Sequence, residues 1–186
     1  LELTPNFKDL SYKGKEIIEL KILKTTKKIT LNAEDIIITK AEINDNKLKS
    51  IKYNKKYQQV TFLFNKPVKD NLYLEFKGNI SNNLRGWYKS NYNFNNKEKV
   101  MLTTQFEATD ARKCFPCFDE PELKAKFSLT LNIPKELDAV SNMPIKKQFN
   151  KKEIFSDGGD TANALILVKR FLEENKADTR YTDYQN

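Results

Sequence analysis

The sequence predicts an all-β fold, an antiparallel β-sandwich or saddle, with a short α-helical tail at the C-terminus. Apolar and polar residues alternate with a period of two through the first half of the chain, as in strands with one buried face. No helical pattern separates these runs, which argues against the βαβ units of a parallel sheet. The alternating runs are residues 18–22, 36–39, 47–53, 60–64 and 72–76.

The second half of the chain contains two further predicted strands, at residues 101–106 and 127–133. Between them, residues 107–126 are dense in Asp, Glu, Cys, Phe and Pro, and Pro116 and Pro121 prevent a long helix. Irregular segments of this length within a compact domain are uncommon and are usually functional. Nearer the N-terminus, Asn44-Asp45-Asn46 predicts a hairpin turn.

The predicted domain boundary lies near residue 155. Residues 1–155 form the β-domain, and residues 156–186 comprise a glycine-containing break, a helix and a frayed end. Asp160 or Thr161 can cap a helix over residues 161–175, with Leu165, Val168 and Leu172 on one face.

The absence of histidine from all 186 residues sets the widest limit on function. Histidine is the commonest general base near neutral pH and the commonest transition-metal ligand. Ser–His–Asp and Cys–His catalysis and every histidine-containing zinc site are therefore excluded for this chain. Mechanisms based on carboxylates or lysine remain possible.

The net charge of +8 raises the question of an anionic partner. The lysines are scattered along the chain, which favours a solvated exterior over a nucleic-acid surface; a basic single-strand binder is the alternative, and its affinity would fall steeply with salt. No apolar run approaches the roughly 20 residues of a membrane span, and no leader opens the chain. We expect no nucleic-acid partner, no membrane partner and a cytoplasmic location.

The two cysteines, Cys114 and Cys117, form a Cys-x-x-Cys pair. A redox pair or half of a zinc knuckle is conceivable, but zinc would need two further ligands. The flanking Phe115 and Phe118 favour buried free thiols that pack as small hydrophobic groups.

Four motifs follow one another along the second half of the chain: Gly86-Trp-Tyr-Lys-Ser90, Thr103-Thr-Gln-Phe-Glu-Ala-Thr-Asp-Ala-Arg112, Phe115-Pro-Cys-Phe-Asp-Glu-Pro121 and Ser141-Asn-Met-Pro144. In this order they closely resemble motifs of the N-terminal domain of the M1 (gluzincin) zinc aminopeptidases. The resemblance covers about residues 5–150, and the tail departs from it near Lys152.

The resemblance implies a β-saddle or sandwich that covers a separate catalytic domain, and a role in removing N-terminal residues from peptides. Within it, Glu107 would accept hydrogen bonds from the substrate's α-ammonium group, and Gln105 would line the pocket for the first side chain. The family's zinc motif is not present, so the resemblance implies no catalytic residue, metal ligand or cofactor in this chain. Zinc is expected in the complete enzyme, and the partners are peptide N-termini and the downstream catalytic domain.

Residue chemistry alone leaves alternatives open. Glu107 could be a strand-end acid paired with Arg112, and Asp110 could form a local ion pair with Arg112. We interpret Asp119 as a hydrogen-bond acceptor that orders the loop. Trp87 could be a platform for a ligand, but a role in sealing the edge of the sandwich is favoured. A stand-alone module that binds peptide N-termini or protein partners without cleavage is the alternative function. Whether the chain is a fragment or a natural truncation is also open.

Overall fold

The structure, a computed structural model, describes residues 1–149, 152–155 and 167–169. Strands dominate this part of the chain, which confirms the all-β prediction, and its two 3-10 helices have three residues each. No helix among these residues has the length and apolar character needed to cross a bilayer. The strands are β1 (Glu2–Asn6), β2 (Ser11–Ile18), β3 (Lys28–Asn32), β4 (Ile37–Glu42), β5 (Leu48–Asn54), β6 (Gln59–Phe64), β7 (Leu72–Asn79), β8 (Gly86–Phe94), β9 (Lys97–Gln105), β10 (Thr130–Asn132), β11 (Asp138–Val140), β12 (Ile145–Phe149), β13 (Lys152–Phe155) and β14 (Leu167–Lys169), and the 3-10 helices are η1 (Lys55–Tyr57) and η2 (Ala111–Lys113).

The described strands form three sheets. The largest has the order β12-β13-β10-β1-β2-β7-β4, and the smaller two have the orders β11-β14-β9-β8 and β3-β6-β5. Neighbouring strands are antiparallel except for β1 and β10, which run parallel with Glu2 opposite Thr130. The fold is therefore antiparallel, as predicted, apart from this one pairing among the described strands.

One hydrophobic core lies between the sheets, and alternation along the strands builds it. On β7, Leu72, Leu74 and Phe76 are buried, with the residues between them half-buried. On the neighbouring β2, Gly14 lies opposite Phe76. A Cβ atom at Gly14 would run into the Phe76 ring, so the ring packs over the glycine. The close approach requires a residue without a side chain here.

The predicted turn around Asp45 is present, but it does not connect a hairpin. Ile43 and Asn46 form an isolated bridge, and Asp45 has a φ of 51°. However, β4 pairs with β7 and β5 pairs with β6, in two different sheets. The buried Asn46 side chain accounts for the divergence, because it bonds both the carbonyl oxygen and the amide of Lys66 at 2.9 Å. The turn therefore passes the chain from one sheet to another.

The alternating run at residues 18–22 is not a strand beyond Ile18. Ile18, Leu20 and Ile22 are half-buried and the two residues between them are exposed, as the pattern predicted. The ladder ends because Ile18 pairs with Leu72, the first residue of β7. The alternation of residues 18–22 therefore reflects side chains packed against the core, in a segment that has no hydrogen-bonded neighbouring strand among the described residues after Ile18.

The helix predicted over residues 161–175 falls almost wholly outside the described residues. The three residues described there, Leu167–Lys169, form strand β14, so the helix prediction is wrong at these positions. β14 pairs with β11 and, through Val168 opposite Leu102, with β9. A short apolar run suits helix and strand alike, and here neighbouring strands determine the outcome. The division at residue 155 stays a prediction.

Candidate functional site

Gln105 and Glu107 lie at the end of β9, where the regular ladder gives way to the irregular segment. Gln105 is the last residue of the strand, and it is exposed. Phe106 is buried, and Glu107 is exposed. The structure therefore brings the two predicted side chains to the surface on either side of a buried aromatic residue. Their roles toward a substrate stay predictions.

Phe106 anchors this short run in the core. Its ring meets that of Phe115 edge to face, with centroids 5.8 Å apart, and Phe115 meets Phe127 in the same way at 5.8 Å. Edge-to-face pairs of this kind are favourable beyond the area that they bury. The backbone that carries Gln105 and Glu107 is thus attached to the interior by the residue between them.

A tight turn follows Phe106. The Asp110 amide donates to the Phe106 carbonyl oxygen at 2.9 Å, which encloses Glu107 within the turn, and the Glu107–Ala108 peptide bond is cis. The Asp110 carboxylate is buried and accepts a hydrogen bond from Nε of Arg85 at 2.8 Å. This bond and the negative charge of Asp110 raise the pKa of the Arg85 guanidinium.

Arg112 pairs with Asp119, not with Asp110, so the predicted Asp110–Arg112 ion pair is wrong. Its Nε donates to the Asp119 carboxylate at 2.8 Å, and its Nη2 donates to the Asp119 carbonyl oxygen at 3.1 Å. Nη1 reaches the Gln58 side chain at 3.3 Å. The Asp110 carboxylate is bonded instead by Arg85, which lies in the loop before β8. The prediction that Asp119 is a loop-ordering acceptor is confirmed.

The irregular segment is also attached to strand β3. The Asp119 amide donates to the Asn32 side chain at 3.2 Å, and Asn32 and Cys117 exchange two backbone hydrogen bonds at 2.8 and 3.0 Å. Lys113 forms an ion pair with Glu34 at 2.6 Å. These contacts make the segment compact, although most of it has no regular secondary structure, as predicted.

A groove of about 1440 Å³ runs beside this segment. Glu107 lines it, together with Phe106 and Asp119, whereas Gln105 lies outside it. Exposed Phe118 and Leu123 make part of the wall apolar. The groove can thus accommodate a ligand that presents a donor to Glu107 and apolar surface to its neighbours.

Glu16, at the base of this groove, was not anticipated from the sequence. It points inward from β2, is almost fully buried, and its Oε1 has no hydrogen-bond partner among the described residues. Burial raises the pKa of this carboxyl group well above its ordinary value. Its place in the alternation of β2, two residues after Gly14, was the available signal.

Both cysteines are buried and free, which confirms the prediction. Burial raises the pKa of each thiol, and nearby carboxylates act in the same direction. The thiols are therefore protonated at neutral pH and are poor nucleophiles and metal ligands. Burial and the raised thiol pKa of both residues argue against a redox pair.

The residues present do not fit a catalytic zinc ion. The sequence has no histidine, and the described residues contain no group of three or more Cys, Asp or Glu side chains that could hold a metal.

Trp87 packs inside the domain and is not a ligand platform. It is almost fully buried, and its ring lies 5.0 Å from that of Tyr12. The prediction that it seals the sandwich is confirmed. Tyr12 in turn donates to the Lys113 carbonyl oxygen at 3.2 Å, which joins the irregular segment to β2.

The fold and this site define an all-β domain that presents polar side chains beside a groove. The family model of the Peptidase M1 N-terminal domain matches residues 1–157. The chain therefore belongs to the M1 aminopeptidase family, of which it represents the N-terminal domain.

Several aminopeptidases resemble this chain over the same region. Aminopeptidase 2 of Candida albicans is 35% identical over 162 residues, which cover 83% of this chain and 18% of that protein. Aminopeptidase 2, mitochondrial, of Saccharomyces cerevisiae is 39% identical over 160 residues, 81% of this chain and 17% of that protein. Aminopeptidase N of Bos taurus is 55% identical over 71 residues, 38% of this chain and 7% of that protein. The chain thus spans less than a fifth of the length of these relatives.

Proposed function

We propose that this chain forms part of the substrate cleft of an M1-type zinc aminopeptidase, which removes N-terminal residues from peptides, and that it is non-catalytic by itself. Glu107 accepts hydrogen bonds from the α-ammonium group of the substrate, and Gln105 lines the pocket for the first side chain. The observation that supports this proposal is the exposure of both residues on either side of buried Phe106, with Glu107 at the groove.

The chemistry of Glu107 suits this role. A carboxylate that accepts hydrogen bonds from an ammonium group makes a charge-assisted contact, the stronger class of hydrogen bond. One such contact contributes about 1.5–3 kcal/mol. That is enough to discriminate a free N-terminus from an acetylated one, because acetylation removes the positive charge.

The peptide bond would be broken by a catalytic domain that holds the zinc ion. This chain has no histidine to contribute, so its part is to bind and orient the peptide N-terminus. A His-Glu-x-x-His motif encoded in frame beyond Asn186 would support this arrangement. Its absence from the gene would favour the alternative, a module that binds peptide N-termini without cleaving them.

The proposal is tested by substituting Glu107→Ala in the enzyme that carries this domain together with the catalytic domain. We expect kcat/KM on free N-terminal substrates to fall about 10- to 200-fold, as for loss of one charge-assisted hydrogen bond. Zinc content should not change. Glu42→Ala, which removes an exposed acid on β4, is the matched control and should leave kcat/KM unchanged. Parental activity of the Glu107→Ala enzyme would refute the role.

The cytoplasm is the location that we propose for this domain. Two free, buried thiols in one short segment suit a reducing compartment. Microscopy of the tagged full-length protein tests this, and a signal confined to a secretory compartment would contradict it.

A further inference from the structure

We propose that Asp110 is a positioning residue, which sets the placement of Gln105 and Glu107 relative to each other through its ion pair with Arg85. This inference rests on the proposed function, because it assigns a purpose to the spacing of those two side chains. It is carried by three contacts that converge on the turn after β9.

The first contact is the ion pair. The Asp110 side chain is 3% exposed, whereas Arg85 is 66% exposed, and their atoms Oδ2 and Nε are 2.8 Å apart. A buried carboxylate needs a partner, since an unpaired buried charge is strongly unfavourable. Arg85 meets this need from outside the core, so the pair holds a surface side chain over a buried acid.

The second contact lies on the Asp110 backbone. Its amide donates to the Phe106 carbonyl oxygen at 2.9 Å, so Glu107, Ala108 and Thr109 are enclosed between the two bonded residues. Phe106 is fixed by its packing in the core. A shift of Asp110 must therefore be taken up by the three enclosed residues, and Glu107 is the first of them.

The third contact lies on the Arg85 side. Gly86, which follows Arg85, pairs with Gln105 across β8 and β9. Gly86 has a φ of 68°, and a Cβ atom added there would meet the Cβ of Lys113, so this backbone packs directly on the irregular segment. The Arg85–Asp110 pair thus connects the cross-strand neighbour of Gln105 with the turn that carries Glu107.

The test is a double-mutant cycle in the enzyme that carries this domain and the catalytic domain. Arg85→Met is made in the parent and in the Glu107→Ala background, and kcat and KM are measured on free N-terminal substrates. In the parent we expect kcat/KM to fall on the order of 10-fold, as for a small misplacement of a binding group. In the Glu107→Ala background we expect no further loss. Arg85→Lys should restore most of the parental kcat/KM.

Two further variants make the result decisive. Lys40→Met removes the cation of an exposed ion pair with Glu42 on β4 and should leave kcat/KM unchanged. If Arg85→Met fails to fold, Asp110→Asn replaces it in the double-mutant cycle with Glu107→Ala, because asparagine is close in shape to aspartate. Equal losses in both backgrounds, or no loss in the parent, would show that the pair is only structural. If Glu107→Ala itself has no effect, the amine-binding role is wrong and the inference fails with it.

Discussion

Arg112 and Asp119 form a buried ion pair in which one carboxylate oxygen accepts from both the main-chain amide of Arg112, at 3.2 Å, and its Nε, at 2.8 Å. Both side chains are largely shielded from solvent, with exposures of 11% and 6%. The seven-residue separation means that this pair closes the irregular segment on itself. The pair therefore stabilises a loop that has little regular secondary structure of its own.

Arg112→Met should destabilise the domain by about 3–5 kcal/mol, because it leaves the Asp119 carboxylate buried without its cation. Denaturant unfolding of the chain, monitored by intrinsic fluorescence, measures this loss in the free energy of unfolding. Lys40→Met, which disrupts an exposed pair with Glu42, should cost no more than about 1 kcal/mol and serves as the control. A similar small loss for Arg112→Met would show that the loop is ordered by its other contacts.

Glu16→Gln should change how the stability of the domain depends on pH. The pKa of Glu16 is raised in the folded state by burial. In the window between the unfolded pKa and the raised folded pKa, the folded state holds a proton that the unfolded state has released. Stability from this group is therefore complete below the unfolded pKa and is lost as pH rises through the folded pKa. Glutamine does not titrate, so the variant should gain stability relative to the parent as pH rises above about 4.3.

The measurement is the free energy of unfolding of both proteins from pH 4 to pH 8. Glu19→Gln, an exposed neighbour on the same segment, is the matched control and should track the parent. If the difference between Glu16→Gln and the parent does not vary with pH, the Glu16 carboxyl group has a folded pKa close to its unfolded one.

Local alternation predicted β4, β5, β6, β7, β9 and β10 because a half-buried strand carries its burial pattern in its own sequence. The run at residues 60–64 lies within β6, and the run at 72–76 lies within β7. The same pattern failed after Ile18, where side chains alternate in burial without a partner strand. Alternation therefore identifies a buried face, and hydrogen-bonded neighbours determine whether that face belongs to a sheet.

The partners of the charged residues could not be predicted from spacing alone. Asp110 and Arg112 are two residues apart, yet each pairs elsewhere, with Arg85 and with Asp119. These contacts depend on how the chain turns after Phe106 and on the position of the loop before β8, which carries Arg85. By contrast, Gln105 and Glu107 are exposed around a buried Phe106, as expected for residues two apart on a strand, although Leu102 to Thr104 are buried in succession and Glu107 lies beyond the end of β9. The exposure of the two candidate side chains was predictable, and the ion pairs of the neighbouring loop were not.

Gln105 substitutions should alter which N-terminal side chains the complete enzyme prefers, since Gln105 is proposed to line the first side-chain pocket. Gln105→Ala should change the ratio of kcat/KM between small and bulky first residues by the equivalent of roughly 1–3 kcal/mol, with preference for a free amine retained. A panel of dipeptide reporters with different first residues measures the ratio. An equal loss on every substrate would mean that Gln105 supports the fold of the cleft and does not select side chains.

The affinity of the complete enzyme for two inhibitors that differ only in a free or an acetylated α-amino group tests the central claim most directly. Binding at equilibrium reports the contact with the amine apart from the rate of peptide cleavage. The parent should prefer the free amine, and Glu107→Ala should reduce that preference by about 10- to 200-fold while its affinity for the acetylated inhibitor stays at the parental value. An undiminished preference in Glu107→Ala would contradict the account, since the amine would then be bound by other groups.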